Sequence, residues 1–182
     1  CDIIFGNLEC TLKGKGEPIN DEKDALLSTT KEHIDLIQKE LNINIVSLGN
    51  NHSFDYGISG YEETIDYLSK KGIEYFGSGI DSVDAAKLKI MKVKNSKIGF
   101  LSFVTYDTHP QIADKFNFGV SMFDPTSSYN VIRESKEKVD YLIISLHWGI
   151  ERYHYPTPGQ IKHTKKMVDT GADLIIGHHA HY

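Results

Sequence analysis

Ile43-Asn44-Ile45-Val46-Ser47-Leu48-Gly49-Asn50-Asn51-His52-Ser53-Phe54-Asp55-Tyr56-Gly57 is the stretch on which the reading of this chain turns. Its first six residues form an apolar run that reads as a buried strand. A helical pattern starts near Ser59. Amide, imidazole and carboxylate groups therefore crowd the point where a strand hands over to a helix. In open α/β sheets that carboxyl edge is where ligands bind. Two later strands end the same way. Tyr141 to Leu146 runs into His147-Trp148-Gly149-Ile150-Glu151, and Asp173 to Gly177 runs into His178-His179-Ala180-His181. Three strand ends with ligand-type side chains, far apart in sequence, point to one assembled metal site.

Working outward, Asp2 to Phe5 reads as a short strand with Gly6-Asn7-Leu8-Glu9 as its exit, and Thr11 to Asp24 as a loop. Thr29 and Glu32 have the spacing of a capping box at the start of a first helix, whose apolar face would be Ile34, Ile37 and Leu41. Gly60 to Lys71 is a second helix with Tyr61, Ile65 and Leu68 inward and Gly72 as its stop. Ile73 to Phe76 is a strand. Leu88 to Val93 and Lys97 to Val104 form a hairpin across Lys94-Asn95-Ser96. Tyr106 to Asp124 has no clear period, and a loop this long commonly walls a site. Ser127 to Val139 is a helix. Thr157-Pro158 starts another that ends at Gly171, with Pro where its missing N–H matters least. Strands alternate with helices around one hairpin, which favours an α/β sandwich with helices on the sheet faces.

The 182 residues are most simply one domain, and 40% hydrophobic with 25% charged residues is ordinary for a globular chain. A net charge of −5 leaves no basic footprint for nucleic acid. The two cysteines, Cys1 and Cys10, make no disulfide framework and do not fix the compartment. No apolar run approaches the roughly 20 residues of a membrane span, and no signal peptide is visible. The chain opens on a strand-like segment and stops just after a histidine cluster, so both ends read as cut from a longer protein.

The candidate donors have distinct chemistries. An Asn51 carbonyl oxygen is a hard neutral ligand, and imidazole suits transition metals. His52 is either a ligand or a proton donor to a leaving group, and Asp55 can orient it by accepting its other ring N–H. Taken alone, Asn50 and Asn51 read more readily as a polar turn that caps the next helix. His147, directly after a buried strand, needs partners, and a metal is a common one. On an extended exit segment His179 and His181 point the same way and His178 opposite, so the first two are read as joint ligands. Glu9 is a carboxylate able to bridge two cations. Glu151 and His154 are read as rim or surface groups.

Asn7-Leu8-Glu9, Asn50-Asn51-His52-x-x-Asp55-Tyr56-Gly57, His147-Trp148-Gly149-x-Glu151 and Gly177-His178-His179-Ala180-His181 together resemble the CapA family of capsule and poly-γ-glutamate biosynthesis proteins. That family lies within the calcineurin-like metallophosphoesterases. The resemblance implies an α/β/β/α sandwich and a site for two divalent metal ions (Mn, Fe, Zn or Mg). It makes Glu9, Asn51, His147, His179 and His181 ligands and His52 the general acid. Glu9 stands where the superfamily usually has a bridging Asp. The family's opening Gly-Asp motif and its closing strands are expected outside this stretch, which would then hold metal poorly. The implied role is phosphoester hydrolysis in capsule assembly, with a capsular polymer such as poly-γ-glutamate and membrane-bound synthesis proteins as partners. The implied location is the outer face of the cell membrane. A non-catalytic polymer- or partner-binding role, and metal-dependent amide hydrolysis, are the alternatives.

Overall fold

Ile45 and Val46 are neighbours on one strand yet belong to different layers of the molecule. Ile45 packs with Phe76 and Phe100, while Val46 packs with Ile34, Tyr61 and Leu68. Period-2 alternation produces this split, because successive side chains leave a strand on opposite faces. The computed structural model describes residues 2–19 and 25–181. The elements are β1 (Phe5–Asn7), β2 (Thr11–Leu12), β3 (Ser28–Thr29), α1 (Lys31–Leu41), β4 (Ile45–Ser47), α2 (Gly57–Lys70), β5 (Glu74–Phe76) and β6 (Ser78–Gly79). They continue with α3 (Ser82–Ala85), β7 (Lys89–Val93), β8 (Ser96–Val104), β9 (Gly119–Val120), α4 (Ser128–Lys136), β10 (Tyr141–Trp148), α5 (Pro158–Thr170) and β11 (Leu174–His179).

Two sheets carry the site. One is parallel, ordered β1-β4-β5; the other, ordered β11-β10-β8-β7, is parallel except for the β7–β8 hairpin. Phe5, Ile45, Phe76, Phe100 and Ile143 fill the space between the sheets. Leu101, Leu142 and Ile144, on the opposite face of the second sheet, pack with Ile132 of α4 and Met167 of α5. The layers are therefore α/β/β/α. A fully buried side chain of this kind contributes about 2 kcal/mol. At the carboxyl ends of the strands the sheets close on each other through small residues. Ser47 Oγ and Ser102 Oγ are 3.1 Å apart. Gly49 and Gly77 flank Ser102, and a Cβ at Gly49 would stand 2.8 Å from Ser102 Cβ.

Several local expectations shift. The cap of α1 is Thr30, whose hydroxyl accepts the His33 N–H, because Thr29 is held in β3 against Leu12. On α1 only Ile34 is buried; Ile37 and Leu41 are exposed. α2 begins at Gly57, ahead of Gly60. The hairpin turns on two residues, with Lys94 at φ 54° and Ser96 already paired with Val93. The loop expected over 11–24 contains β2, and its residues 20–24 lie outside the described residues, as does Cys1. α5 starts as expected, with Pro158 in the first turn and a capping box between Thr157 and Gln160.

Candidate metal centre

Every candidate donor sits at the carboxyl end of a parallel strand. Glu9 follows β1. Its Oε2 accepts from Asn7 Nδ2 at 2.9 Å, and Asn7 Oδ1 accepts from Asn50 Nδ2 at 3.2 Å. Asn50 is buried and ties the loop after β4 together. Its Nδ2 also donates to the Leu8 carbonyl at 2.9 Å, and its Oδ1 accepts from the His52 N–H and the Ser53 hydroxyl, each at 3.0 Å. The Ser53 hydroxyl also contacts the Leu48 carbonyl. Asn50 is thus no helix cap: α2 follows Tyr56 without a side-chain cap. This amide network presents Asn51 and His52 toward the second sheet. Sequence reasoning gave no role to Asn7 and read Asn50 only as a helix cap. The only signal was the presence of amides at both strand exits.

β10 runs two residues further than expected, so His147 lies within the strand, paired with Val104 and His178 and fully buried. Its Nε2 is 2.8 Å from Asn51 Oδ1 and 3.5 Å from Glu9 Oε1. The His179 ring lies 4.9 Å from the His147 ring. Strand pairing sets His178 beside His147 and His179 beside Trp148. His179 reaches the site with a left-handed backbone, φ 93°, and His181 follows at φ 57°. A turned exit, and not pleat alternation, places this pair. Glu9, His147 and His179 each offer one donor atom, all within 4.8 Å of one another. His181 stands outside that trio: its ring is 6.3 Å from that of His179 and it is exposed. His178 faces the layer between the sheets, 5.8 Å from the Phe5 ring. Glu151 is an exposed rim group whose Oε1 lies 4.0 Å from His179 Nε2.

His52 and Asp55 form a separate pair beside the trio. His52 Nδ1 is 2.7 Å from Asp55 Oδ2, which also accepts the Leu27 N–H at 2.8 Å. Asp55 is fully buried. A carboxylate only accepts, so Nδ1 carries the proton and Nε2 is left for exchange with a ligand.

The electrostatics suit a cation. Burial pushes His147 down to about 2, with neighbouring His179 adding to the effect. Burial also lowers His178 and His179. It raises Glu9 above the usual carboxylate range, against the opposing charges of His181 and His52. Neutral imidazoles keep their lone pairs, the form that binds metal. Among the described residues, Glu9 Oε1, His147 Nδ1, His178 Nε2 and His179 Nδ1 are buried without a hydrogen-bond partner. Orphaned buried polar atoms are rare and costly. Several gathered around three mutually close donors fit a divalent ion. A cavity of about 430 Å³ opens beside them, lined by Glu9, Trp148, Tyr153, Tyr155, His179 and His181 among others.

The family profile described as "Bacterial capsule synthesis protein PGA_cap" matches residues 1–182. The chain belongs to this family. The PGA biosynthesis protein CapA of Bacillus subtilis is 31% identical over 181 residues, covering 99% of this chain and 47% of that protein. The capsule biosynthesis protein CapA of Bacillus anthracis is 30% identical over 186 residues, covering 99% and 45%. The chain therefore spans about half the length of the curated relatives it matches. A hypothetical protein from Thermus thermophilus superposes with a TM-score of 0.56 at 14% identity, over 100% of this chain and 57% of that one, a likeness of fold alone. For this PGA_cap member, no helix among the described residues is long and apolar enough to cross a membrane.

Proposed function

We propose that residues 1–182 are a single metal-binding domain with a phosphoester-hydrolase-type site, acting in capsule or poly-γ-glutamate biosynthesis. The observation that carries this reading is the convergence of Glu9, Asn51, His147 and His179 from both sheets, with buried donor atoms left unpartnered. These four would hold the ion nearest the cavity, with His181 at the edge of the site; a second ion would share Glu9. Bound divalent cations would polarise a phosphoryl oxygen and acidify water. His52 would pass a proton from Nε2 to the leaving oxygen, with its Nδ1 held from behind by buried Asp55. Asn50 and Asn7 hold Asn51 and Glu9 in register. The sheets exclude water from the floor, because His147 has no exposed surface.

The names of the relatives support the biological setting. A capsular polymer and membrane-bound synthesis proteins are the partners this reading implies, at the outer face of the cell membrane. The test is manganese titration by calorimetry, together with turnover of p-nitrophenyl phosphate by the full-length protein. Saturable binding and turnover, both lost in His147→Ala, are expected. Absence of both would overturn the reading. Metal binding with cleavage of γ-linked glutamate amides, but no ester turnover, would select amide hydrolysis instead.

A further inference from the structure

The cavity beside the donors has a second wall with a different character. Ile150, Tyr153, Tyr155 and Pro156 come from the segment between β10 and α5, and Trp148 and Gln160 from those elements themselves. Tyr153 and Tyr155 are 53% and 74% exposed, with rings 6.4 Å apart at 74°. The segment is anchored to the exit of β11, where the Arg152 N–H donates to the Ala180 carbonyl at 2.9 Å.

Two neutral donors face this space. Gln160 Oε1 is fixed by the Thr157 N–H at 2.7 Å, and its Nε2 makes no hydrogen bond among the described residues. The Trp148 indole N–H also makes none, and Gly177 has no side chain to cover it: a Cβ there would stand 3.6 Å from Nε1. Among the described residues lining the cavity there is neither Lys nor Arg; the basic side chains are His154, His178, His179 and His181. Along the Tyr153–Tyr155 wall, away from the donors, a polymer with a carboxylate on every residue would lose water without a Lys or Arg to pair with, which is costly. Ring faces with neutral amide, indole and phenol donors match a molecule with one apolar face and an edge of hydroxyls.

We infer that this cavity seats a neutral pyranose ring, so that the ester cleaved at the donors is a sugar phosphoester and the polyglutamate chain itself is not the molecule held there. The ester part of this inference rests on the reading above; the sugar part does not. Trp148 is the chain's one tryptophan, so its fluorescence reports occupancy of this wall directly.

The experiment titrates the full chain, in EDTA, with methyl β-D-glucopyranoside, with its N-acetylglucosamine counterpart, and with a γ-linked glutamate decamer. A saturable change in emission with at least one glycoside is expected, and none with the decamer. Tyr153→Ala and Tyr155→Ala, both exposed positions that leave the core intact, should each weaken glycoside binding by about tenfold. The inference is overturned if neither glycoside alters the emission, if the decamer binds as tightly, or if both tyrosine variants bind like the parent. Because no metal is present, failure of the hydrolase reading appears separately, as glycoside binding without ester turnover.

Discussion

His147 Nε2 lies 2.8 Å from the side-chain oxygen of Asn51, a residue 96 positions earlier in the chain. The contact crosses from one sheet to the other, so it exists only when both are folded and packed. It also brings an imidazole and an amide oxygen into the geometry of a shared cation. Outer partners of metal ligands typically contribute 10- to 100-fold in affinity, so loss of a direct donor in His147→Ala should weaken manganese binding by at least about 100-fold. Isothermal calorimetry checks this. Asn50→Ala should lower affinity less, while destabilising the fold by about 1–3 kcal/mol through its lost buried hydrogen bonds.

His52 should separate chemistry from binding. His52→Ala removes the proton donor and leaves Glu9, His147 and His179 in place. Turnover of p-nitrophenyl phosphate should fall about 10²- to 10⁴-fold, with manganese affinity retained. Equal loss of metal binding would make His52 a ligand instead.

Gly49 tests the closure of the sheets beneath the site. A Cβ there meets Ser102 Oγ and stands 2.8 Å from Ser102 Cβ and 3.2 Å from the Gly77 carbonyl. Gly49→Ala should cost about 1–3 kcal/mol in urea unfolding. Adding Ser102→Gly should recover most of that loss in a double-mutant cycle, since the two residues share one clash.

Acid should weaken the metal-free fold earlier than carboxylate protonation alone would. His147 is held neutral down to about 2 in the folded state, while an unfolded histidine takes a proton near its ordinary 6.5. The unfolded chain therefore binds more protons below that value, and stability falls as pH falls from about 6.5 toward 2. For His147 alone the loss between pH 6.5 and 5 is about 2 kcal/mol. Burial of His178 and His179 acts in the same direction. Urea midpoints in EDTA at pH 7.5 and 5.0 check the sign, and manganese should raise the midpoint at pH 7.5.

On α1, burial and not hydrophobicity should set the cost of truncation. Ile34 is 3% exposed and Leu41 is 56% exposed. Ile34→Ala should destabilise by about 2–5 kcal/mol, and Leu41→Ala by less than about 0.5 kcal/mol. Thermal unfolding of the two variants decides.

Much of this molecule was legible in its residues. Apolar runs such as Tyr141 to Leu146, the Thr157-Pro158 start and the hairpin around Lys94 are local signals, set by side-chain period, capping and turn chemistry. They were enough to order the elements and to place Glu9, Asn51, His147 and the His179/His181 pair at strand exits. Errors came where local preference met a competitor. Thr29 lost the cap to Thr30 because β3 claimed it, and Ile37 and Leu41 face outward because α1 covers the sheet only along Ile34.

The amino-acid sequence by itself determined which side chains could act as donors and on which strands they ride, because strand and helix patterning depends on near neighbours. Only the tertiary structure decided that Glu9, His147 and His179 form the trio and that His181 stands outside it. It also decided that Asn50 braces the loop and that a tyrosine wall faces the donors. Those outcomes depend on how two sheets approach through Gly49, Gly77 and Ser102, and on a left-handed backbone at His179. Both are properties of packed layers and strained dihedrals, which no run of adjacent residues encodes.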